Sequence, residues 1–231
     1  MKKVSFVIPC YRSANTISIV VGEIRDTMPA LPEYDYEIIL VNDCSPDNTL
    51  EVISALALSD SRITAVDLAK NFGQHAALMS GISHSTGDFV VCLDDDGQTP
   101  ANEVGKLLAR LEQDDCDVAM ASYEHKQHSA FRNFGTKLNN RMTEIMLGKP
   151  RDLSMTSYFA IKRFIVDEML KYKNCFPYLD GLILRCTRRI RTVPVQHRAR
   201  MEGSSGYTLG KLFALWMDGF TAFSVKPLRL A

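Results

Sequence analysis

The segment Val90-Val91-Cys92-Leu93-Asp94-Asp95-Asp96-Gly97-Gln98-Thr99-Pro100 carries an apolar run straight into consecutive carboxylates. Like charges a few ångströms apart raise each other's pKa, so gathering them at a strand end is costly unless a cation neutralises them. Alternate residues of an extended segment point the same way, so Asp94, Asp96 and Gln98 could converge on one ion while Asp95 faces elsewhere. A hard divalent cation, Mg2+ or Mn2+, held by few protein groups keeps positions open for diphosphate oxygens. The competing reading is an acidic turn that caps a helix starting near Ala101.

Outward from that segment, short β-branched runs alternate with helical periodicity, the pattern of a parallel sheet covered by helices. Strands are expected at Val4 to Cys10, Tyr36 to Asn42, Ile63 to Leu68, Asp88 to Leu93 and Asp117 to Ser122. Helices are expected at Asn15 to Met28, Asp47 to Leu58, Gln74 to Ser83 and Ala101 to Gln113, the last with Val104, Leu107, Leu108 and Leu111 on one stripe. Pro9 to Ser13, Asn42 to Asn48 and Asp94 to Thr99 then lie at carboxyl ends of strands, where an open α/β sheet binds ligands. The second half predicts a helix from Arg132 to Leu147, a strand from Ser157 to Lys162, a helix from Arg163 to Lys171 and a short strand around Val193 to Gln196. In Tyr207 to Phe223, Leu209, Leu212, Phe213, Trp216, Phe220 and Phe223 share one helical face, which suits packed core or an interfacial helix.

With 231 residues, 46% hydrophobic and 23% charged, the composition is that of a globular domain able to bury a full core, most simply one domain with a C-terminal appendage. Lys plus Arg equals Asp plus Glu at 27 each, which gives no case for a nucleic-acid partner. The charges are unevenly placed: six Arg and no acid between Arg185 and Arg200, nine acids between Asp88 and Asp117. That split suits a site for metal and phosphates, or two oppositely charged solvated faces. The six Cys form no C-x-x-C pair, which argues against a disulfide framework or a zinc site and fits a reducing compartment. Met1-Lys2-Lys3 leads into an apolar run too short for a signal peptide or a spanning helix, so neither export nor membrane crossing is expected.

Other segments admit two readings each. Asp43 could accept hydrogen bonds from a nucleobase edge, with Tyr11 packing on base or ribose. Ser45-Pro46-Asp47-Asn48 is also turn chemistry in its own right, with Asp47 as a helix cap. Asn71-Phe72-Gly73-Gln74-His75 could turn backbone N–H groups and His75 toward a phosphate, or could be a helix cap over a buried Phe72. His125 and His128 lack a matching carboxylate, which favours solvated surface over a metal pair. Cys10, Cys44 and Cys92 fit small core thiols. No G-x-G-x-x-G follows the first strand, which sets a nicotinamide dehydrogenase aside.

Together, Val7-Ile8-Pro9-Cys10-Tyr11, Asn42-Asp43-Cys44-Ser45-Pro46-Asp47, Lys70 to Leu78, Gly87-Asp88 and Leu93 to Gln98 resemble glycosyltransferase family 2, in that family's order. The closer resemblance is to its polyprenyl-phosphate branch, the dolichyl-phosphate mannose synthases and the undecaprenyl-phosphate glucose and aminoarabinose transferases. It continues through Phe131-Arg132, Arg163 and His197 to Thr208 as far as Phe223 to Arg229 and so covers nearly the whole chain. The resemblance implies a GT-A-type nucleotide-diphospho-sugar transferase fold, with a mostly parallel central sheet, helices on both faces and a C-terminal amphipathic helix. The catalytic domain would span 1–200, its nucleotide and metal half about 1–122 and its acceptor half about 123–200; 201–231 would hold a closing loop and juxtamembrane helix.

Carried over residue by residue, the resemblance makes Asp94 and Asp96 the metal-binding D-x-D pair and Gln98 the accompanying ligand. Asp43 reads the base, and Pro9 and Tyr11 line the nucleoside pocket. Arg200, Gly203 and Ser205 match an R-x-x-G-x-S segment closing over the donor diphosphate, and Arg132 matches a position meeting the acceptor phosphate. The implied partners are a nucleotide-sugar donor, uridine being the first expectation for its base, a polyprenyl phosphate such as undecaprenyl phosphate, and a membrane surface met by the C-terminal helix; a homo-oligomer is compatible. Family members commonly continue past Pro227-Leu228-Arg229 into transmembrane helices, and this chain stops there, as expected of a domain on the cytoplasmic face of a bacterial membrane.

Departures from the pattern fall at Gly206, where Lys is usual; Ser13, where an acid is usual; Gly97, usually Leu; and Ala101, usually Pro. They leave the metal residues in place and put the sugar and the acceptor in question. A polyprenyl phosphate acceptor needs no protein base, whereas a saccharide hydroxyl does, and Asp180 stands at the corresponding depth. The competing reading, which the local pattern favours, is that Asp180 caps a helix beginning near Leu182. A third reading, from another class, is a sugar-nucleotide-binding scaffold that has lost turnover.

Overall fold

The computed structural model describes residues 1–123, 149–150, 153, 155–175, 177–196 and 198. The expected helix at Arg132 to Leu147, the segments holding His125, His128, Arg132, Arg200, Gly203 and Ser205, and the amphipathic stretch Tyr207 to Phe223 lie outside them.

Among the described residues, seven strands form one sheet in the order β3-β2-β1-β4-β6-β5-β7. They are β1 (Lys2–Cys10), β2 (Tyr34–Asn42), β3 (Ile63–Asp67), β4 (Phe89–Cys92), β5 (Val118–Tyr123), β6 (Phe159–Lys162) and β7 (Ile190–Val195). Of these seven strands only β6 runs against its neighbours, antiparallel to both β4 and β5. Helices α1 (Ile17–Thr27), α2 (Thr49–Ser59), α3 (Gln74–His84), α4 (Val104–Leu111), α5 (Arg163–Met169) and α6 (Leu179–Cys186) cover it.

The alternation of side chains along each strand sorts the core into two layers. Val4, Phe6, Ile8 and Cys10 of β1 join Ile38 and Leu40 of β2 under α1, α2 and α4. Val7 of β1 joins Ile39 and Val41 of β2 under α3, α5 and α6. Each such fully buried Ile, Leu, Val or Phe contributes roughly 1.5–3 kcal/mol. Helix α3 approaches the sheet closely at Gly81, where an added Cβ would stand 2.4 Å from Val7 Cγ1 and 2.9 Å from Val41 Cγ2.

Element boundaries differ from the expectations in ways that tertiary contacts explain. Met28–Ala30, which includes Pro29, tightens into a 3-10 turn at the end of α1. Ala101–Glu103 is likewise a 3-10 turn before α4. Strand β7 starts at Ile190 rather than Val193, pairing from Val118↔Ile190 to Tyr123↔Val195. It stands at one end of the strand order, so Pro194, which has no N–H to give a ladder, is tolerated.

Register is the feature that makes a site. Cys10 pairs with Asn42, Asn42 with Asp67, and Val7 with Cys92. The residues that follow these strand ends therefore emerge along one edge of the sheet. No helix of the described residues is long and apolar enough to cross a membrane.

Candidate active site

The acidic turn begins where β4 ends. Asp94 Oδ1 accepts from Gln74 Nε2 at 3.0 Å, and Asp94 Oδ2 accepts from Ser157 Oγ. Its backbone is tied by Thr99, whose Oγ1 accepts from the Asp94 N–H at 3.2 Å. Asp96 Oδ1 accepts from the Gln98 N–H at 3.0 Å, closing a turn in which Gly97 takes φ +73°. A Cβ is disfavoured at that φ, which gives a physical reason for glycine at position 97.

Asp95 faces another way. Its Oδ2 accepts from the Tyr11 N–H at 3.2 Å and from Ser13 Oγ, joining the acidic turn to the loop after β1. Burial, and to a smaller extent Asp96, raises the Asp95 pKa against these hydrogen bonds. Burial first, then Asp95, raises the Cys10 thiol, and burial with Asp94 raises Cys92. Both thiols are thus kept protonated, as packed core groups rather than ligands.

The loops after β1 and β2 hold each other. The Arg12 N–H donates to Ser45 Oγ at 2.7 Å and the Ser13 N–H to Thr49 Oγ1 at 2.9 Å. Arg12 and Cys44 adopt φ of 59° and 49°, left-handed values that cost a non-glycine residue on the order of 1 kcal/mol or more and cluster at functional sites. Asp47 Oδ1 accepts from the Thr49 N–H at 3.3 Å and from Thr49 Oγ1 at 2.6 Å, so this residue serves the start of α2.

Asp43 is buried, with its carboxylate on the turn before α3: Oδ1 accepts from the Phe72 N–H at 2.7 Å and Oδ2 from the Gly73 N–H at 2.9 Å. Those amides therefore meet a protein carboxylate, against the first of the two readings of this segment, in which they turn toward a phosphate. Phe72 is 53% exposed, against the expectation of a buried ring. His75 also turns inward: its ring packs edge-on to Tyr178 at 5.2 Å, and burial lowers its pKa to about 4.

Asp180 does not cap a helix beginning near Leu182, because α6 begins at Leu179 and Asp180 lies in its first turn. It is half-buried and accepts from Tyr178 Oη at 3.4 Å, with its pKa raised to about 6 by burial. The basic run is dispersed. Arg189 grips Asp117 through Nε at 3.0 Å and Nη2 at 2.8 Å, and Arg191 Nε meets Asp115 at 3.0 Å. Part of the acidic run thus pairs with part of the basic run, at the amino ends of β5 and β7 and away from the carboxyl edge. Arg198 differs: its N–H donates to the Gln98 carbonyl at 3.4 Å while Nη1 meets Glu23 at 2.7 Å and Nη2 meets Asn102 at 3.1 Å. That contact brings the chain two residues before Arg200 to the acidic turn.

Among the described residues no three His, Cys, Asp or Glu side chains converge on a point, so Asp94 and Asp96 offer two carboxylates rather than a closed protein cage. Such a donor set fits Mg2+ or Mn2+, which takes one or two carboxylates and completes its shell with phosphate oxygens and water. Sequence reading missed Gln74 and Ser157 as supports of Asp94, and Tyr123, whose pKa is raised by burial and then by Asp94 and Asp96. No spacing rule connects positions 74, 123 and 157 to 94; the sheet does.

The strand order of the described residues, with β6 reversed and an acidic turn at the carboxyl edge, is that of a GT-A-like fold. In mannosyl-3-phosphoglycerate synthase from Rubrobacter xylanophilus a matching fold has a TM-score of 0.65 at 18% identity, covering 99% of this chain and 74% of that one. Glucosyl-3-phosphoglycerate synthase from Mycobacterium tuberculosis, in complex with Mn2+ and uridine-diphosphate-glucose, matches at 0.63 and 18%, covering 94% and 76%. The chain belongs to glycosyl transferase family 2, whose family model matches residues 5–170. It is 35% identical over all of its length, and 70% of the relative's, to an undecaprenyl-phosphate 4-deoxy-4-formamido-L-arabinose transferase of Yersinia enterocolitica. A transferase of the same name from Klebsiella pneumoniae is 33% identical with the same coverage. These relatives match the polyprenyl-phosphate branch of the family.

Proposed function

We propose that this glycosyltransferase moves a sugar from a nucleoside diphosphate donor, uridine diphosphate being the first expectation, to a polyprenyl phosphate such as undecaprenyl phosphate, for cell-envelope glycan assembly. The observation that carries the reading is the division of labour in the acidic turn. Asp95 is used internally on Tyr11 and Ser13, while Asp94 and Asp96 stand at the sheet edge with Asp94 braced by Gln74 and Ser157. The acceptor is suggested by the names of the full-length relatives.

Asp94, Asp96 and Gln98 would hold a divalent ion, which when bound neutralises diphosphate charge and eases departure of the nucleoside diphosphate. A phosphate monoester is already anionic near neutral pH. Its oxygen forms the new bond to the anomeric carbon as the bond to the diphosphate breaks, the electron pair leaving with the diphosphate; a single in-line displacement inverts that centre. The protein's task is then to position and to balance charge. Pro9, Tyr11 and Asp43 belong to the nucleoside end of this proposal. Arg132 at the acceptor phosphate, and Arg200, Gly203 and Ser205 over the donor, complete it outside the described residues. The stretch Tyr207 to Phe223 would lie on the cytoplasmic membrane surface, close to a lipid acceptor.

A transfer assay with undecaprenyl phosphate, a panel of nucleotide sugars and Mn2+ or Mg2+ tests this directly. Asp96→Ala is expected to lose nearly all turnover with acceptor binding retained; undiminished turnover in the absence of divalent metal would refute the scheme.

One observation supports a second reading. Asp180, half-buried with a pKa raised to about 6, has the protonation behaviour of a general base for a saccharide hydroxyl. Asp180→Asn separates the two: a loss of several orders of magnitude indicates a hydroxyl acceptor, and little change indicates a phosphate.

A further inference from the structure

Tyr11 and Phe72 are large apolar side chains left exposed, at 43% and 53%, and both flank Asp43 at the carboxyl edge. The Asp43 N–H donates to the Cys10 carbonyl at 3.0 Å, which sets Tyr11 beside it. On the other side, the Asp43 carboxylate takes the Phe72 and Gly73 amides, and Asn71 Nδ2 donates to the Asp43 carbonyl at 3.1 Å. The backbone beneath the Phe72 ring is thereby fixed by the Asp43 carboxylate, and that beneath the Tyr11 ring by Asp95, whose Oδ2 accepts from the Tyr11 N–H at 3.2 Å. Each ring also has a cation against it: the Arg12 guanidinium 5.7 Å from the Tyr11 centroid, and Lys70 Nζ 4.8 Å from the Phe72 centroid.

Single exposed apolar residues are ordinary on protein surfaces. Two exposed aromatic rings whose backbones are both tied to Asp43 or its neighbours, each with a cation against it, are better matched to a ligand that is flat at one end and anionic at the other. We infer that Phe72 is a base-stacking residue, its ring forming with Tyr11 an aromatic wall for the donor's nucleobase. This rests on the donor reading given above. Stacking tolerates any base because every base has a π face, so Phe72 sets affinity rather than the choice of base. Lys70 and Arg12 add positive charge beside the two rings.

The test is equilibrium binding to the full chain with Mn2+, using uridine diphosphate and guanosine diphosphate as nucleotides and inorganic pyrophosphate as the ligand without a base. Phe72→Ala is expected to raise the nucleotide Kd roughly tenfold or more, the range of base–aromatic stacking. Phe72→Leu should follow it, Phe72→Trp should retain tight binding, and pyrophosphate binding should not change in any of them. An unchanged nucleotide Kd in Phe72→Ala, or an equal loss for nucleotide and pyrophosphate, overturns the assignment. A different result sinks the reading beneath it: an Asp96→Ala protein that keeps Mn2+-dependent pyrophosphate binding, or a parent chain that binds neither nucleotide.

Discussion

Gln74, the first residue of α3, donates from Nε2 to Asp94 Oδ1 at 3.0 Å, at the end of β4. The contact crosses from one strand–helix unit to another and holds the carboxylate from one side while Ser157 holds it from the other. On the proposed assignment of Asp94 to the metal, its carboxylate does not have to be ordered by the ion. Gln74→Ala is therefore expected to weaken Mn2+-dependent nucleotide binding by about ten- to a hundredfold, the usual cost of losing an outer support. Calorimetric titration checks it, and affinity equal to the parent's would show that Gln74 has no such role.

Gly97 invites a misleading substitution. The family pattern has Leu there, yet φ is +73°, where a side chain costs about 1–2 kcal/mol. Gly97→Leu should lower thermal stability and loosen the Asp96–Gln98 turn, with weaker Mn2+ binding. A variant as stable and as metal-avid as the parent would mean the turn relaxes without penalty.

Ser13 and Asp95 form a couple, since Ser13 Oγ donates to Asp95 Oδ2 and burial already raises that carboxyl. Ser13→Glu, the acid usual in the family, sets a second carboxylate against the first and should destabilise by about 2 kcal/mol or more. Adding Asp95→Ala should recover part of that loss. Denaturant unfolding of the two single variants and the double variant measures the coupling, and strict additivity would contradict it.

The His75–Tyr178–Asp180 group predicts two opposed pH dependences. Burial lowers His75 to about 4, below the unfolded value near 6.5, so its contribution is present above 6.5 and is lost as pH falls toward 4. Burial raises Asp180 to about 6, above the unfolded value near 3.9, so its contribution is present at low pH and is lost as pH rises through 6. The two largely offset each other between pH 4 and 6.5, each worth at most on the order of 3 kcal/mol. Relative to the parent, Asp180→Asn should make stability rise with pH in that window, and His75→Gln should make it fall. Parallel slopes in all three proteins, measured by urea unfolding, would exclude both assignments.

Residue order by itself determined a good deal. The alternation of β-branched runs with amphipathic helices specified an α/β sheet, because burial on two faces imposes its period on the chain. Apolar strands that end abruptly in polar residues marked the carboxyl edge. The acidic turn was legible because carboxylates packed at a strand end require neutralisation, and alternation already separated Asp95 from Asp94 and Asp96. Tertiary structure decided what depends on which strands become neighbours. The antiparallel β6 inserts between β4 and β5, and Ser157, just before it, reaches Asp94. Asp43 turns its carboxylate to the Phe72 and Gly73 amides, Phe72 is left exposed, and Asp180 enters a half-buried first turn with a raised pKa. Hydrogen bonds and desolvation act through space over a few ångströms. Residues separated by dozens of positions meet only after the sheet has set their register, so no local pattern in the chain records those encounters.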